Sequence, residues 1–224
     1  QTAAAVGAGT ITDAAVSAGG TAPTTATVTV STAGTKVTGL VLEKMLANAT
    51  VQLDATGNVE VKLAVDTGLT EVVNVVTNAI TATDLGIFKA NNIETINITA
   101  NDTDLTKTTV GTVVTENIST NTLVIDANKA TLLKVDGAGN LTLTLAGFST
   151  EVATINASTM TGAITVTTNA SDTGATTVTG GSANDTITLK GANDVAIGGA
   201  GNDTIIVSGS AASFTTLTGG AGID

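Results

Sequence analysis

The chain contains no cysteine, no histidine, no tryptophan and no tyrosine, and eight lysines are its only basic side chains. Without cysteine there is neither a disulfide framework nor a thiol site. Without histidine as well, the Ser/His/Asp, Cys/His and HExxH arrangements cannot be assembled. Carboxylate pairs remain available for acid–base chemistry. A carbohydrate site, however, normally adds an aromatic platform, and the only aromatics here are three phenylalanines. The aspartates therefore read first as turn formers, and no enzymatic activity is expected. The net charge of −11 excludes a nucleic-acid partner, because phosphate binding needs clustered Lys and Arg. No run of about 18 apolar residues is present and no basic amphipathic helix stands out, so neither a membrane span nor direct membrane insertion is expected.

What is abundant is small, branched and uncharged. Hydrophobic residues make up 42 % of the 224 positions and the mean hydropathy is +0.38, which argues against disorder. An interior built from Val, Ile, Leu, Ala and Thr suits repetitive sheet ladders better than a core of large side chains. Residues 1–24, which include the single proline Pro23, read as a loose entry with one strand near Gly9–Thr12. From Thr24 onward, strand-like alternation recurs at Ala26–Ser31, Lys36–Leu42, Val51–Asp54, Val59–Val65 and Val72–Val76, with hairpin-like punctuation at Ala55-Thr56-Gly57-Asn58. Two stretches break the pattern: Glu43–Ala47 reads as one helical turn, and Thr83–Lys89 as a short helix or turn. From about residue 90, apolar strands closed by Asp126, Asp136 and Asn156 recur at steps of about ten and twenty residues. These steps fit half a coil and a full coil of a solenoid. The expected class is all-β, a parallel β-solenoid or β-roll. The division is a β-rich segment over 1–89, a solenoid over 90–179 and a roll over 180–224. For the first segment a small β-sandwich and further solenoid are both open.

The chemistry concentrates near the end. Gly198-Gly199-Ala200-Gly201-Asn202-Asp203-Thr204-Ile205-Ile206 fits the nonapeptide G-G-x-G-x-D-x-U-x at every position, U being a large apolar residue. Nine residues earlier, Leu189–Ile197 keeps the aspartate, Asp194, and little else. Nine earlier again, Gly180–Thr188 departs only in having Ala183 where a glycine would stand. Gly219–Asp224 supplies the first six residues of one more repeat, so the chain reads as a piece of a longer protein. In such a repeat six residues form a glycine-permitted turn and three form a short strand. Two nonapeptides complete a coil, so residues eighteen apart stack. Asp185 is then expected over Asp203, with Asp194 on the opposite side. Stacked turns offer carboxylates and backbone carbonyls, the hard oxygens that calcium takes in sets of about 6–8, and metal binding would be coupled to folding.

These motifs, with the strand unit Ile93-Glu94-Thr95-Ile96-Asn97-Ile98 and the Thr/Ala/Gly/Val/Asn-rich background, resemble RTX-type bacterial S-layer proteins. The compositional likeness runs along nearly the whole chain, and the specific motif covers only 180–224. The resemblance implies a secreted, self-assembling surface-layer protein whose lattice and subunits calcium stabilises, with itself as partner and cell-surface glycan bound through other parts of the protein. It carries over as metal ligands Asp185, Asp203, Asp194 and Asp224, with turn oxygens around Asn184 and Asn202. Leu189 and Lys190 in place of a glycine pair, and the broken register at 207–218, lower the expected number of ions. The same motifs also occur in large secreted RTX adhesins and in accessory domains of secreted enzymes, and both remain alternatives.

Overall fold

The computed structural model describes residues 10–13, 27–31, 37–54, 56–64, 68–78, 81–102, 107–110, 112–147, 149–171, 174–208 and 216–224. The described strands follow in chain order as β1 (Thr10–Asp13), β2 (Thr27–Ser31), β3 (Val37–Met45), β4 (Thr50–Leu53), β5 (Gly57–Leu63), β6 (Val72–Thr77), β7 (Thr83–Lys89), β8 (Thr95–Ala100), β9 (Lys107–Val110) and β10 (Val113–Glu116). They continue with β11 (Thr120–Asp126), β12 (Leu132–Gly137), β13 (Asn140–Leu145), β14 (Thr154–Asn156), β15 (Ile164–Thr167), β16 (Thr177–Thr179), β17 (Thr186–Leu189), β18 (Val195–Ala200), β19 (Thr204–Val207) and β20 (Thr216–Ala221).

Apart from two antiparallel pairings, the chain alternates between two parallel sheets. The first has the order β1-β2-β4-β6-β8-β12-β14-β16-β18-β20 and the second β19-β17-β15-β13-β11-β7-β5-β3. Among the described residues, only β1 on β2 and the inserted hairpin β9–β10 pair antiparallel. Each coil therefore contributes one strand to each sheet, which is a parallel β-solenoid. The strands from β2 to β7 lie in the same two sheets as those that follow, so the described part of the first 89 residues takes the solenoid option. Thr177 pairs with Val195 and Thr186 with Thr204, which gives the eighteen-residue coil expected of two nonapeptides. The loose entry around Pro23 and most of the break at 207–218 lie outside the described residues.

The alternation explains the core. In β13, Leu141, Leu143 and Leu145 point inward while the threonines between them face out. In β6, Val73 and Val75 are fully buried and Asn74 is outside. Inward residues of both sheets merge into one apolar cluster that runs from Leu42 to Ala196, with Ile205 packed against it. Outside, the second sheet carries two rows. Thr122, Thr142, Thr165, Thr186 and Thr204 stand side by side, as do Val124, Thr144, Thr167, Thr188 and Ile206.

Three local expectations are corrected. Glu43–Ala47 is not a helical turn, because β3 runs through to Met45. Thr83–Lys89 is strand β7. The cause is the same in both. Leu42 and Met45, and Leu85 and Phe88, are buried three residues apart because a register irregularity interrupts each strand. A bulge of this kind imitates helical spacing in the sequence. In β7, Gly86 takes φ +77°; its N–H donates to Asp84 Oδ1 at 2.9 Å, and the next N–H, of Ile87, to Asn58 Oδ1 at 3.0 Å. The hairpin expected around Thr56–Asn58 is a solenoid corner instead: β4 and β5 lie in different sheets and do not pair.

Candidate metal centre

The corner leading from the first sheet to the second places Asp185 immediately before β17 and Asp203 immediately before β19. Both side chains turn inward, 1 % and 5 % exposed. Each carboxylate reaches back one coil to a strand-entry N–H. Ile164 N–H donates to Asp185 Oδ1 at 2.9 Å, Asp185 N–H to Asp203 Oδ1 at 2.8 Å, and Asp203 N–H to Asp224 Oδ1 at 2.9 Å. The three aspartates thus form one column, as the eighteen-residue spacing required for the first two. Asn184 and Asn202 form a parallel outer column: Asn202 N–H donates to Asn184 Oδ1 at 2.8 Å, and Ile223 N–H to Asn202 Oδ1 at 2.9 Å.

The second carboxylate oxygens differ. Asp185 Oδ2 accepts Gly181 N–H at 2.6 Å. Asp203 Oδ2 is buried and has no hydrogen-bond partner. An unmatched buried carboxylate oxygen is costly unless a cation or donor meets it. Burial pushes the Asp185 carboxyl above its ordinary value and the Asp203 charge adds to this, against the Ile164 and Gly181 N–H groups.

The glycines follow from the same geometry. A side chain at Gly180 would strike the Gly198 carbonyl and Asp185 Oδ2; one at Gly198 would strike the Gly219 carbonyl and Asp203 Oδ2. At each corner a carbonyl of the next coil and a carboxylate oxygen therefore converge over a bare α-carbon. Gly199 and Gly201, with φ +117° and +121°, supply the left-handed turn that makes this possible. The donors are all hard oxygens, as calcium requires. Among the described residues no three His, Cys, Asp or Glu side chains converge to hold an ion by themselves, so an ion here would depend on the turn carbonyls.

Asp194 stands apart, at the corner leading from the second sheet back to the first. It is fully buried and accepts Thr176 N–H at 2.9 Å, Thr168 Oγ1–H at 2.7 Å and Gly191 N–H at 3.0 Å. Those three donors satisfy it without an ion, and the structure does not bring it to the Asp185–Asp203 column.

The chain matches no known protein-family model and no curated protein.

Sequence reasoning passed over two acids that occupy the corner position of Asp194 in earlier coils. Glu71 and Glu94 directly precede β6 and β8, and Glu94 Oε2 accepts Glu71 N–H at 2.9 Å. The signal was present: Glu71-Val72-Val73-Asn74 and Glu94-Thr95-Ile96-Asn97 repeat the pattern, with Val72 opposite Thr95 and Asn74 opposite Asn97. Asn121 was also passed over. It lies fully buried in line with Leu141, Ile164 and Asp185, and neither of its side-chain polar atoms has a partner.

Proposed function

We propose that this chain is a structural segment of a secreted bacterial surface-layer protein, stabilised by calcium and assembling with copies of itself. The observation that carries the reading is the column Asp185–Asp203–Asp224, with its unpartnered, buried Asp203 Oδ2 beside the Gly219 carbonyl. Asp203 and Asp185, with the carbonyls of Gly198 and Gly219 and the turn around Asn184 and Asn202, would hold the ion. Bound calcium would supply the positive charge that stacked carboxylates lack, so that coil stacking and ion binding become one event. In a chain of net charge −11, like copies repel except where charge is absent. The two threonine-rich rows on the second sheet are such a place, a flat uncharged face on which neighbours could pack. Attachment to cell-surface glycan is assigned to other parts of the protein.

A calcium titration followed by circular dichroism and light scattering tests this. The expected result is a gain of β signal with growth of large ordered particles. Folding without particle growth would retain the ion site and overturn self-assembly by this segment. No response in either signal would overturn the calcium reading, leaving the glycine-rich turns as plain solenoid corners.

A further inference from the structure

The outer face of the second sheet is not uniform. Beyond the threonine rows, toward β3, it sinks into a cleft of about 210 Å³ lined by Val41, Asn58, Glu60, Ile87, Lys89 and Asp126 among others. The cleft continues one of the rows, because Ile87 stands opposite Val124. Glu60, Lys89 and Asp126 lie side by side across β5, β7 and β11, so the trio carries one net negative charge. Lys89 Nζ pairs with Glu60 at 3.5 Å. Asp126 is left over: its Oδ1 is buried and has no hydrogen-bond partner. A carboxylate held in this way is costly until a cation reaches it. Val41 and Ile87 add apolar walls of the kind that cover the methylene stem of a lysine.

The complementary group is on the opposite outer face. Lys134 is exposed on β12 of the first sheet, between Asn97 and Asn156 in register. Among the described residues no acid pairs with its ammonium, not even the exposed Asp136 two positions on. Lys129, by contrast, is paired with Glu151 at 2.9 Å, and Lys190 follows β17 at a corner. Position supports the match as well as charge. Asp126 ends β11, and Lys134 lies in β12, the next strand of the chain, one coil on and beside the same corner. Moving a copy straight across its own two sheets, with a shift of one strand spacing, about 4.8 Å, brings the Lys134 side of one molecule over the cleft of the next. Because cleft and lysine lie on opposite faces, the contact does not close on itself, and the same step repeats into an open row.

We propose that the Glu60–Lys89–Asp126 cleft is a docking site for Lys134 of a second copy, and that this contact strings the subunits face to back. The docking rests on the self-assembly proposed for this chain and supplies the residues that make the contact.

Charge exchange tests it, with calcium-driven particle growth in light scattering as the readout. Lys134→Asp sets an acid against the acidic cleft, and Asp126→Lys sets a cation against Lys134. Each variant alone is expected to lose most of the growth. Mixed in equal amounts, each cleft finds an opposite charge on the other variant, and growth should return to near the wild-type rate. Growth of either variant alone at the wild-type rate, or a mixture as inert as its components, overturns the docking. Should Asp126→Lys not fold, the wild type decides. Particles grown from equal amounts of isotope-labelled and unlabelled chains are treated with a carbodiimide, which joins an amine to a carboxylate in contact, then digested for mass spectrometry. A link from Lys134 of one label to Asp126 or Glu60 of the other supports the docking. Particles without that link overturn it while self-assembly stands. A wild type that forms no particles overturns self-assembly and the docking with it.

Discussion

Asp185 and Asp203 hold the same position one coil apart and are satisfied differently. Asp185 accepts two backbone N–H groups, one on each oxygen, whereas Asp203 uses Oδ1 alone. Removing the first should be a stability lesion: Asp185→Ala strands the Ile164 and Gly181 N–H groups and is expected to cost about 1–3 kcal/mol in urea unfolding without calcium. Removing only the charge of the second should be a binding lesion. Asp203→Asn can still accept the Asp185 N–H, so its calcium-free stability should stay within about 1 kcal/mol of wild type. Its calcium midpoint should rise about tenfold or more, since affinity follows ligand charge. An unchanged midpoint would move the ion away from this column.

At the scale of the element, the informative places are those where strand alternation fails. The bulge in β7 sets both Leu85 and Phe88 into the core by giving Gly86 a φ of +77°, with the Gly57 carbonyl and Asn58 Oδ1 packed against its bare face. Gly86→Ala should therefore cost about 1–2 kcal/mol or more, from left-handed strain and the collision together. Gly147, with open space where a Cβ would stand, is the control, and Gly147→Ala should change the urea midpoint little. The bulges also mark the limit of what could be read from sequence. Regular strands such as β6, β8 and β13 declared themselves through period-two burial, and the coil length through the spacing of Asp185 and Asp203. Leu42/Met45 and Leu85/Phe88 carried a spacing of three that belongs equally to a helix, and only pairing with neighbouring strands decides between the two. Corner punctuation at Thr56–Asn58 was likewise ambiguous, since a parallel coil and a hairpin use the same turn residues. The aspartate column was legible because its repeat is contiguous. Glu71 and Glu94 were harder to recognise because their coils carry no glycine signature.

For the whole molecule, the exterior matters more than the core. The second sheet shows β-branched, uncharged rows across five successive coils, while the chain as a whole is strongly acidic. Thr144 and Thr167 are adjacent in register. Replacing both with lysine should alter the urea midpoint by less than about 1 kcal/mol, since surface substitutions are mild. Particle growth with calcium in light scattering should fall sharply if copies meet on this face. Growth at the wild-type rate would place the contact elsewhere.

At three corners the carboxylate that accepts the N–H at the strand entry belongs to the coil that follows: Asp203 serves Asp185, Asp224 serves Asp203, and Glu94 serves Glu71. The stack therefore has a direction. A coil leaving the ribosome has its entry amide unmet until its successor arrives, so local order is finished in arrears, one coil behind synthesis. The same rule bears on how such a gene can change length. Loss of one eighteen-residue coil between Asp185 and Asp203 would hand each amide to an equivalent acid. Loss of nine residues would transfer every later strand to the opposite sheet and leave the amides facing the wrong side chains.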